Sequence, residues 1–204
     1  MKQNRLAVAS LSLLVAAALA HADVPAAPAP SAKDFFYVFA SKDKHEMPHY
    51  APSGWMGDTG DLKYEEVKDV DNTGATYVKI LYSAKGSKGA GWAGIYWQNP
   101  NNNWGARAGG FNLSKFKKLT FMAKGAIGGE KISAFKVGGI SGDFGDTDSA
   151  DTGPIELTNA WKTYAIDLTG KDLSRIIGGF CFSASRDDNP NGFTFYLNDI
   201  RYEP

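Results

Sequence analysis

From residue 35 onward, short runs of β-branched and aromatic residues alternate with clusters of Gly, Asn, Asp and Pro. Runs of this length, bounded by turn-forming residues, are typical of β-strands. Segments such as KGSKGAG at 85–91 and DNPNG at 188–192 have the chemistry of turns. The pattern predicts eight strands: Phe35–Ala40, Thr76–Ser83, Trp92–Gln98, Lys117–Lys124, Lys131–Val137, Trp161–Leu168, Ile177–Ala184 and Phe193–Tyr202.

No segment between these strands has the period of an amphipathic helix, and at most one helical turn is expected after Thr169. Parallel sheets need long crossover connections, which are usually helical, whereas antiparallel strands can be joined by short turns. The sequence therefore predicts an all-β fold, an antiparallel β-sandwich or jelly roll, in a single domain.

The first 22 residues have the features of a secretory signal peptide. Lys2 and Arg5 precede an apolar run over residues 6–19, and Ala20-His21-Ala22 supplies small residues around a cleavage site. The apolar run is short for a membrane span, and no second one follows. We therefore expect export to the periplasm or beyond the cell, without membrane insertion.

The domain boundaries follow from composition. Residues 23–33 are rich in Pro and Ala and predict a stiff spacer, and residues 34–204 carry the strand pattern of the β-sandwich domain. The exported chain has about 180 residues, enough for one domain with a real core.

Charge and cysteine content exclude several classes of protein. Removing the signal removes two basic residues, which leaves 20 basic against 22 acidic side chains, a net charge of −2. This balance, without a basic run, argues against a nucleic-acid partner. Cys181 is the single cysteine, so the fold has no internal disulfide and depends on packing, with or without a metal. Cys181 itself is expected to be a half-buried strand residue.

Residues 91–105 read GWAGIYWQNPNNNWG, a segment of aromatic and amide side chains with almost no charge. Successive side chains of a strand point to opposite faces. Ala93, Ile95 and Trp97 should therefore face the core, and Trp92 and Tyr96 should project from the outer face. Trp97 is expected in the core, as are four further aromatics: Trp161, Phe121, Phe195 and Trp55.

Aromatic rings beside amides suit an uncharged, hydroxyl-rich ligand, because the rings offer large faces and the amides both donate and accept hydrogen bonds. The same alternation turns Lys136 and Ser183 to the outer face of their strands. We predict that sugar rings stack on Trp92, Tyr96 and Trp104. Hydroxyl groups would bond to six further residues: Gln98, Asn99, Asn101, Lys136, Arg186 and Asp187.

Three motifs near the C-terminus carry a resemblance to a known family. They are WKTYAIDL at 161–168, GGFCFS at 178–183 and GFTFYLNDIRYE at 192–203. With these motifs the chain resembles the galactose-binding-like β-sandwich carbohydrate-binding modules. The resemblance covers nearly the whole exported chain, and it implies a jelly-roll fold and a poly- or oligosaccharide partner.

The resemblance also implies a structural calcium, with Asp199 as the matching acid near the end of the last strand. Asn198 stands where the family usually has Asp, which removes one charge from that site. Asp58 and Asp61, in the first long loop, could meet Asp199 in the fold. A separate run, Asp143 to Asp151, places four carboxylates on a Gly-containing loop. It is either a second cation-binding loop or a solvated loop whose Asp side chains accept hydrogen bonds from the backbone of their own turns.

The sequence offers two catalytic interpretations. His45-Glu46-Met47-Pro48-His49 has the letters of the zinc-protease motif, but Pro48 would break the helix that this motif requires. No pair of carboxylates is placed on an evident cleft strand for glycoside hydrolysis. We therefore expect no catalytic residues. The alternatives that stay open are a jelly-roll lyase or glycosidase, using Lys136, Arg186 and Tyr96, and an envelope module that contacts another protein.

Overall fold

The computed structural model describes residues 35–41, 48–68 and 75–204. The predicted signal peptide and spacer, and His45, Glu46 and Met47 of the zinc-protease-like motif, lie outside these residues. In the described part of the chain, no helix is long and apolar enough to cross a membrane.

The described residues form strands β1 to β13, all paired antiparallel, and one 3₁₀ turn at Thr59–Asp61. The strands are β1 Phe36–Phe39, β2 Ala51–Gly57, β3 Leu62–Lys68, β4 Thr76–Tyr82, β5 Trp92–Gln98, β6 Lys118–Gly125, β7 Lys131–Ile132, β8 Ala134–Gly138, β9 Ser149–Asp151, β10 Ile155–Glu156, β11 Lys162–Asp167, β12 Gly178–Ser185 and β13 Phe193–Glu203.

Two sheets face each other. The back sheet has the order β11-β6-β13-β4-β3, with β1 added beside β13, and the front sheet has the order β2-β5-β12-β8-β9. A short β7–β10 pair lies apart from both sheets. The predicted all-β antiparallel sandwich is confirmed.

The core lies between the two inner faces and is rich in aromatic residues. Alternate residues of the central strands point into it, and Ile95 and Trp97 of β5 meet Phe180 and Phe182 of β12. The rings of Trp97 and Phe180 are 5.4 Å apart in an edge-on arrangement. Phe121 and Phe195 of the back sheet are fully buried against the same cluster, as expected from the sequence.

The predicted strands have observed counterparts, with ends that shift by a residue or two and with 131–137 divided into β7 and β8. The sequence pattern missed β2 and β3, which are edge strands in the described sheets, and the short β9 and β10. The expected turn after Thr169 is a hydrogen-bonded turn without a helix.

Candidate functional site

The candidate site lies on the outer face of the front sheet, where rows of side chains cross four strands. Paired residues of neighbouring strands project from the same face, so the register defines rows of side chains. One row consists only of short or flexible side chains: Met56, Gly94, Ser183 and Ala134. At about 4.8 Å between strands, this row extends about 14 Å. We call it the trough.

Trp92 forms one wall of the trough. It lies two residues before Gly94 on β5, beside Ser185 of β12, and its side chain is 40% exposed. Gly57 of β2 lies against the indole, since a Cβ on this glycine would be 3.2 Å from the ring and 2.2 Å from the backbone oxygen of Trp92. The missing side chain at Gly57 therefore leaves room for the indole.

Two buried carboxylates hold the loop that precedes Trp92. Asp58 accepts backbone N–H groups from Lys88, Ala90 and Gly91 at 2.7–3.0 Å. These hydrogen bonds, that from Ala90 first, lower the pKa of the Asp58 carboxyl. Asp61 accepts the N–H of Gly86 at 2.7 Å. These hydrogen bonds fix the path of the loop into β5. The backbone at Trp92, the first residue of the strand, is therefore held in place.

Trp104 forms the opposite wall. It lies in the loop after β5 and is 44% exposed. Its ring meets that of Tyr96 edge-on, with centroids 6.0 Å apart and planes at 89°. Trp92 and Tyr96 are four residues apart on β5, about 13 Å along the strand. The two exposed indoles therefore flank the trough from opposite sides.

The expected exposure of Tyr96 is wrong. Its side chain points to the outer face, as the alternation predicts, but it is buried there beneath Trp104 and beside Ile140, Ile177 and Cys181. The Tyr96 hydroxyl donates to the backbone oxygen of Gly138 at 2.9 Å, and burial raises the pKa of this phenol. Tyr96 therefore supports the Trp104 wall, and its own ring faces are closed to solvent.

Gln98 is also buried, contrary to its expected exposure. Its amide nitrogen donates to the backbone oxygen of Asn103 at 3.1 Å, and its amide oxygen accepts the hydroxyl of Ser53 at 3.1 Å. The loop after β5 folds back over this end of the sheet, so Gln98 anchors the loop. Asn99 and Asn101 lie on the same loop, beyond the Trp104 wall, where the Asn99 amide donates to the backbone oxygen of His49.

The three charged candidates lie on different sides of the trough, Lys136 in the row of Tyr96 and Arg186 and Asp187 next to Trp92. Lys136 on β8 is half-buried in the row of Tyr96 and Cys181, and its neighbour on β9 is Asp151. Arg186 and Asp187 follow Ser185 at the Trp92 end and are exposed. The backbone N–H of Arg186 donates to the oxygen of Gly91 at 2.9 Å, which links this turn to the start of β5.

The three acids predicted to hold calcium do not meet. Asp61 precedes Leu62, which pairs with Tyr82 on β4. Tyr82 in turn pairs with Phe193 at the start of β13. Asp199 lies six residues further along β13, about 20 Å away. Its carboxylate pairs with Arg201. In the described part of the chain, no group of three or more His, Cys, Asp or Glu residues is placed to hold a metal ion. Calcium at another set of ligands stays a prediction.

The four acids after β8 do not converge on one point, and three of them bond to different backbone N–H groups. Asp146 and Asp148 each accept backbone N–H groups, and Asp148 also pairs with Lys171 at 3.3 Å. Asp151 accepts the N–H of Gly153, and Asp143 is exposed. Asp151 matches the expected turn in which an Asp side chain accepts a nearby backbone N–H, whereas Asp146 and Asp148 also bond to the distant segment 171–178.

His49 and Cys181, the remaining candidate residues, are held by packing and hydrogen bonds to neighbouring residues. His49 stacks on Phe36 with ring centroids 3.9 Å apart, and its Nδ1 is 3.0 Å from the oxygen of Tyr37. Cys181 is fully enclosed in the cluster beneath Trp104, and burial raises the pKa of its thiol. An enclosed thiol of this kind is inert.

The outer face of the back sheet also carries aromatic residues, but their faces are occupied. Trp161 lies against Tyr77 with centroids 5.0 Å apart, and the ammonium group of Lys124 is 5.1 Å from the indole and 5.5 Å from the ring of Tyr196. Trp161 was expected in the core, and the structure places it half-buried on this outer face instead. A face covered by a cation or a ring is not open for sugar stacking.

Sequence reasoning missed several residues of the trough. Met56 and Ala134 carry no signal of their own, because Met56 lies on an unpredicted strand and Ala134 is an ordinary strand residue. Trp55 was expected in the core, yet it is 36% exposed at the front-sheet edge, with its indole N–H donating to the oxygen of Pro52 at 3.1 Å. Only the cross-strand register assembles the trough.

A depression of about 440 Å³ lies at the turn end of the back sheet. Its lining includes Leu81, Ile127, Phe193 and Thr194, and Ile127 is largely exposed. In this lining, the partly buried Phe193 packs against Tyr82 and Phe195.

Solved carbohydrate-binding modules share this architecture. A family 30 carbohydrate-binding module matches with a TM-score of 0.55 and 18% identity, over 83% of this chain and 87% of that chain. A family 11 carbohydrate-binding module from Clostridium thermocellum, solved in complex with a β-1,3-1,4-mixed-linked tetrasaccharide, matches with a TM-score of 0.53 and 18% identity, over 79% of this chain and 92% of that chain.

A family 30 module of a cellulosomal cellulase of Clostridium thermocellum matches with a TM-score of 0.54 and 17% identity, over 82% of this chain and 96% of that chain. No family model matches the chain, and no curated protein matches it. At these identities the likeness establishes the fold, which is the β-sandwich of carbohydrate-binding modules.

Proposed function

We propose that this chain is an exported, non-catalytic carbohydrate-binding β-sandwich that holds a sugar chain in the trough of the front sheet. The observation that carries the proposal is the pair of exposed indoles, Trp92 and Trp104, on opposite sides of a floor of small side chains. An apolar surface left uncovered in this way marks a contact site.

The chemistry of the floor supports a neutral ligand. Met56, Ser183 and Ala134 are partly exposed, and the Met56 methyl covers the buried Gly94, so the floor offers a ligand an apolar thioether beside a hydroxyl that both donates and accepts hydrogen bonds. Lys136 lies beside the Trp104 wall and Arg186 beside the Trp92 wall, where each can donate to sugar oxygens. Stacking on the indoles would supply most of the affinity, and the polar groups would orient the chain.

The length of the trough favours an oligosaccharide over a single sugar. The floor crosses four strands, about 14 Å, and Trp92 lies about 13 Å along β5 from Tyr96, the residue that Trp104 contacts. A family 11 module with the same fold was solved with a β-1,3-1,4-mixed-linked tetrasaccharide. We therefore take this tetrasaccharide as the first probe, and a panel of soluble plant and bacterial polysaccharides as the second.

Calorimetric titration of the wild type and of Trp92→Ala tests the proposal. We expect measurable binding of at least one probe, and a loss of about tenfold or more in the variant, since tenfold corresponds to about 1.4 kcal/mol. Trp55→Ala is the matched control, because Trp55 is similarly exposed but projects to the opposite face of its strand. Unchanged affinity in Trp92→Ala would exclude the trough as the binding site.

The non-catalytic part of the proposal rests on the same floor. Glycoside hydrolysis uses two carboxyl groups on either side of the scissile bond, and Met56, Gly94, Ser183 and Ala134 provide none. Incubation with each bound polysaccharide, followed by assays for reducing and unsaturated ends, tests this part. Reproducible product formation that Lys136→Ala abolishes would favour the enzymatic alternative.

A further inference from the structure

The loop between β8 and β9 is closed by the carboxylate of Asp146. One oxygen accepts the backbone N–H groups of Ile177 at 2.5 Å and Gly178 at 3.1 Å, and the other accepts the N–H of Ile140 at 2.8 Å. The N–H of Asp146 in turn donates to the oxygen of Ile140 at 2.8 Å. A single side chain thus ties both ends of the loop to the start of β12.

The closed loop docks directly on the backbone beside Trp104. The N–H of Phe144 donates to the oxygen of Gly105 at 3.0 Å. Gly105 has a φ of +83°, and a Cβ at this position would be 2.0 Å from the oxygen of Ser141. Only glycine allows the two loops to approach this closely, and Trp104 is the residue that precedes it.

The same loop supports Trp104 from a second direction. Gly138, at the end of β8, accepts the hydroxyl of Tyr96, whose ring meets the Trp104 indole edge-on. Ile140 packs against Tyr96 in the cluster that also contains Ile177. The loop that Asp146 closes therefore reaches Trp104 in two ways: through Gly105, and through Ile140, which packs with Tyr96.

We infer that Asp146 is a positioning residue for the sugar-binding site, which sets the orientation of the Trp104 indole without touching the ligand. The inference rests on the proposed function for its effect on affinity, while its structural part stands on the contacts alone. A carboxylate is needed because its two oxygens accept on both sides. Asn offers one acceptor oxygen and an amide that faces other donors.

The burial of the Asp146 carboxyl is consistent with a fixed structural role. Burial raises its pKa, against the backbone N–H groups of Ile140, Ile177 and Gly178 and the charge of Lys136, which lower it. Tyr50, Tyr96 and Tyr202 are the other titratable groups whose ionisation its charge affects.

The test compares Asp146→Asn with Asp148→Asn in the full exported domain. Asp148 is on the same loop and also accepts backbone N–H groups, but it pairs with Lys171 away from Trp104. Two readouts need no ligand: the NMR resonance of the Trp104 indole N–H, assigned with Trp104→Phe, and the hydrogen exchange rate of the Phe144 amide. We expect Asp146→Asn to shift the first and raise the second at least tenfold, and Asp148→Asn to change neither.

The third readout is affinity for the mixed-linked tetrasaccharide, or for a polysaccharide that the wild type binds. We expect Asp146→Asn to weaken binding about fivefold to tenfold, and to have no effect in a Trp104→Ala background, because coupled residues are non-additive. An equal loss in both backgrounds, or an unmoved indole in a folded Asp146→Asn, would overturn the inference.

Two further outcomes are distinguishable. If the wild type binds no glycan, the proposed function fails, while the indole and exchange readouts still decide the role of Asp146. If Asp146→Asn does not fold, Gly105→Ala breaks the same docking from the other loop, and it should move the Trp104 resonance in the same way. A folded Gly105→Ala with an unmoved indole would contradict the inference.

Discussion

The indole of Trp104 meets the ring of Tyr96 edge-on, at 6.0 Å between centroids, and the hydroxyl of Tyr96 bonds to Gly138 on the far side. The exposed Trp104 therefore packs on the buried Tyr96. Trp104 can stack on a ligand, and Tyr96 fixes the position of Trp104.

This relationship predicts different effects for two substitutions of Tyr96. Tyr96→Phe keeps the supporting ring and loses one buried hydrogen bond, so we expect a cost of about 1 kcal/mol in the free energy of unfolding and sugar affinity within about twofold of wild type. Tyr96→Ala removes the ring and should cost about 3–5 kcal/mol, with a clear loss of affinity. Urea unfolding and calorimetric titration measure both. A large loss of affinity in Tyr96→Phe would instead show that the hydrogen bond to Gly138, and not the ring alone, fixes the Trp104 wall.

The two walls of the trough should contribute independently. Trp92 and Trp104 have no ring contact with each other among the described residues, and Trp92 is about 13 Å along β5 from Tyr96, which Trp104 contacts. We expect Trp92→Ala and Trp104→Ala each to weaken binding about tenfold, and the double variant to weaken it about a hundredfold, because distant sites are additive. Titration of all three against Trp55→Ala checks this. Strong non-additivity would contradict independent walls and would mean that loss of one indole disturbs the binding of the ligand at the other.

Gly57 should prove necessary for the Trp92 wall. Its φ of +63° and the 2.2 Å approach to the Trp92 oxygen both oppose a side chain. Gly153 provides the matched control, with a φ of +64° and open space around it. We expect Gly153→Ala to cost about 1 kcal/mol from backbone strain, and Gly57→Ala to cost more and to weaken binding. Equal costs for the two variants would show that the backbone absorbs the contact at Gly57.

The carboxylate of Asp58 should make stability fall in acid. Its pKa is lowered by the backbone N–H groups of Ala90, Lys88 and Gly91, so the folded state favours the ionised form. Its contribution is present above the unfolded pKa of about 3.9, and it is lost as the pH falls through the lower folded value. Melting midpoints between pH 7 and pH 2 should therefore drop in the wild type.

In Asp58→Asn the midpoint should be lower at pH 7 and should change less below pH 4. Asp143→Asn, on an exposed loop position, should retain the wild-type profile. An Asp58→Asn profile parallel to that of the wild type would assign the acid sensitivity to other groups.

Structural calcium is tested by melting with added Ca²⁺ and with a chelator. If the ion implied by the family resemblance is bound near Asp199, calcium should raise the midpoint, with about 2.7 kcal/mol of stabilisation at a hundredfold excess over the dissociation constant. Asp199→Asn should remove this response. Asp58→Asn should retain it, because the Asp58 oxygens already accept backbone N–H groups. The same midpoint under both conditions would exclude a stabilising calcium ion.

Local sequence predicted every strand that has two neighbours, and also β1, β7 and β11, but it missed four strands that have one neighbour: β2, β3, β9 and β10. The segment APSGWMG of β2 has the composition of a loop, but Pro52 is tolerated because β2 lies at the edge of the front sheet, where one side needs no hydrogen bonds. The segment LKYEEVK of β3 is charged because it forms the edge of the back sheet, where charge prevents further pairing.

The amino-acid sequence by itself determined which side chains of β5 share a face, because the two-residue period of a strand is local geometry. It placed Ile95 and Trp97 in the core and turned Trp92 and Tyr96 outward, as observed. Only the tertiary structure decided which outward residues meet solvent. The loops around Trp104 and Asp146 are about 40 residues apart in the chain, and their docking over Tyr96 depends on contacts that no local pattern encodes.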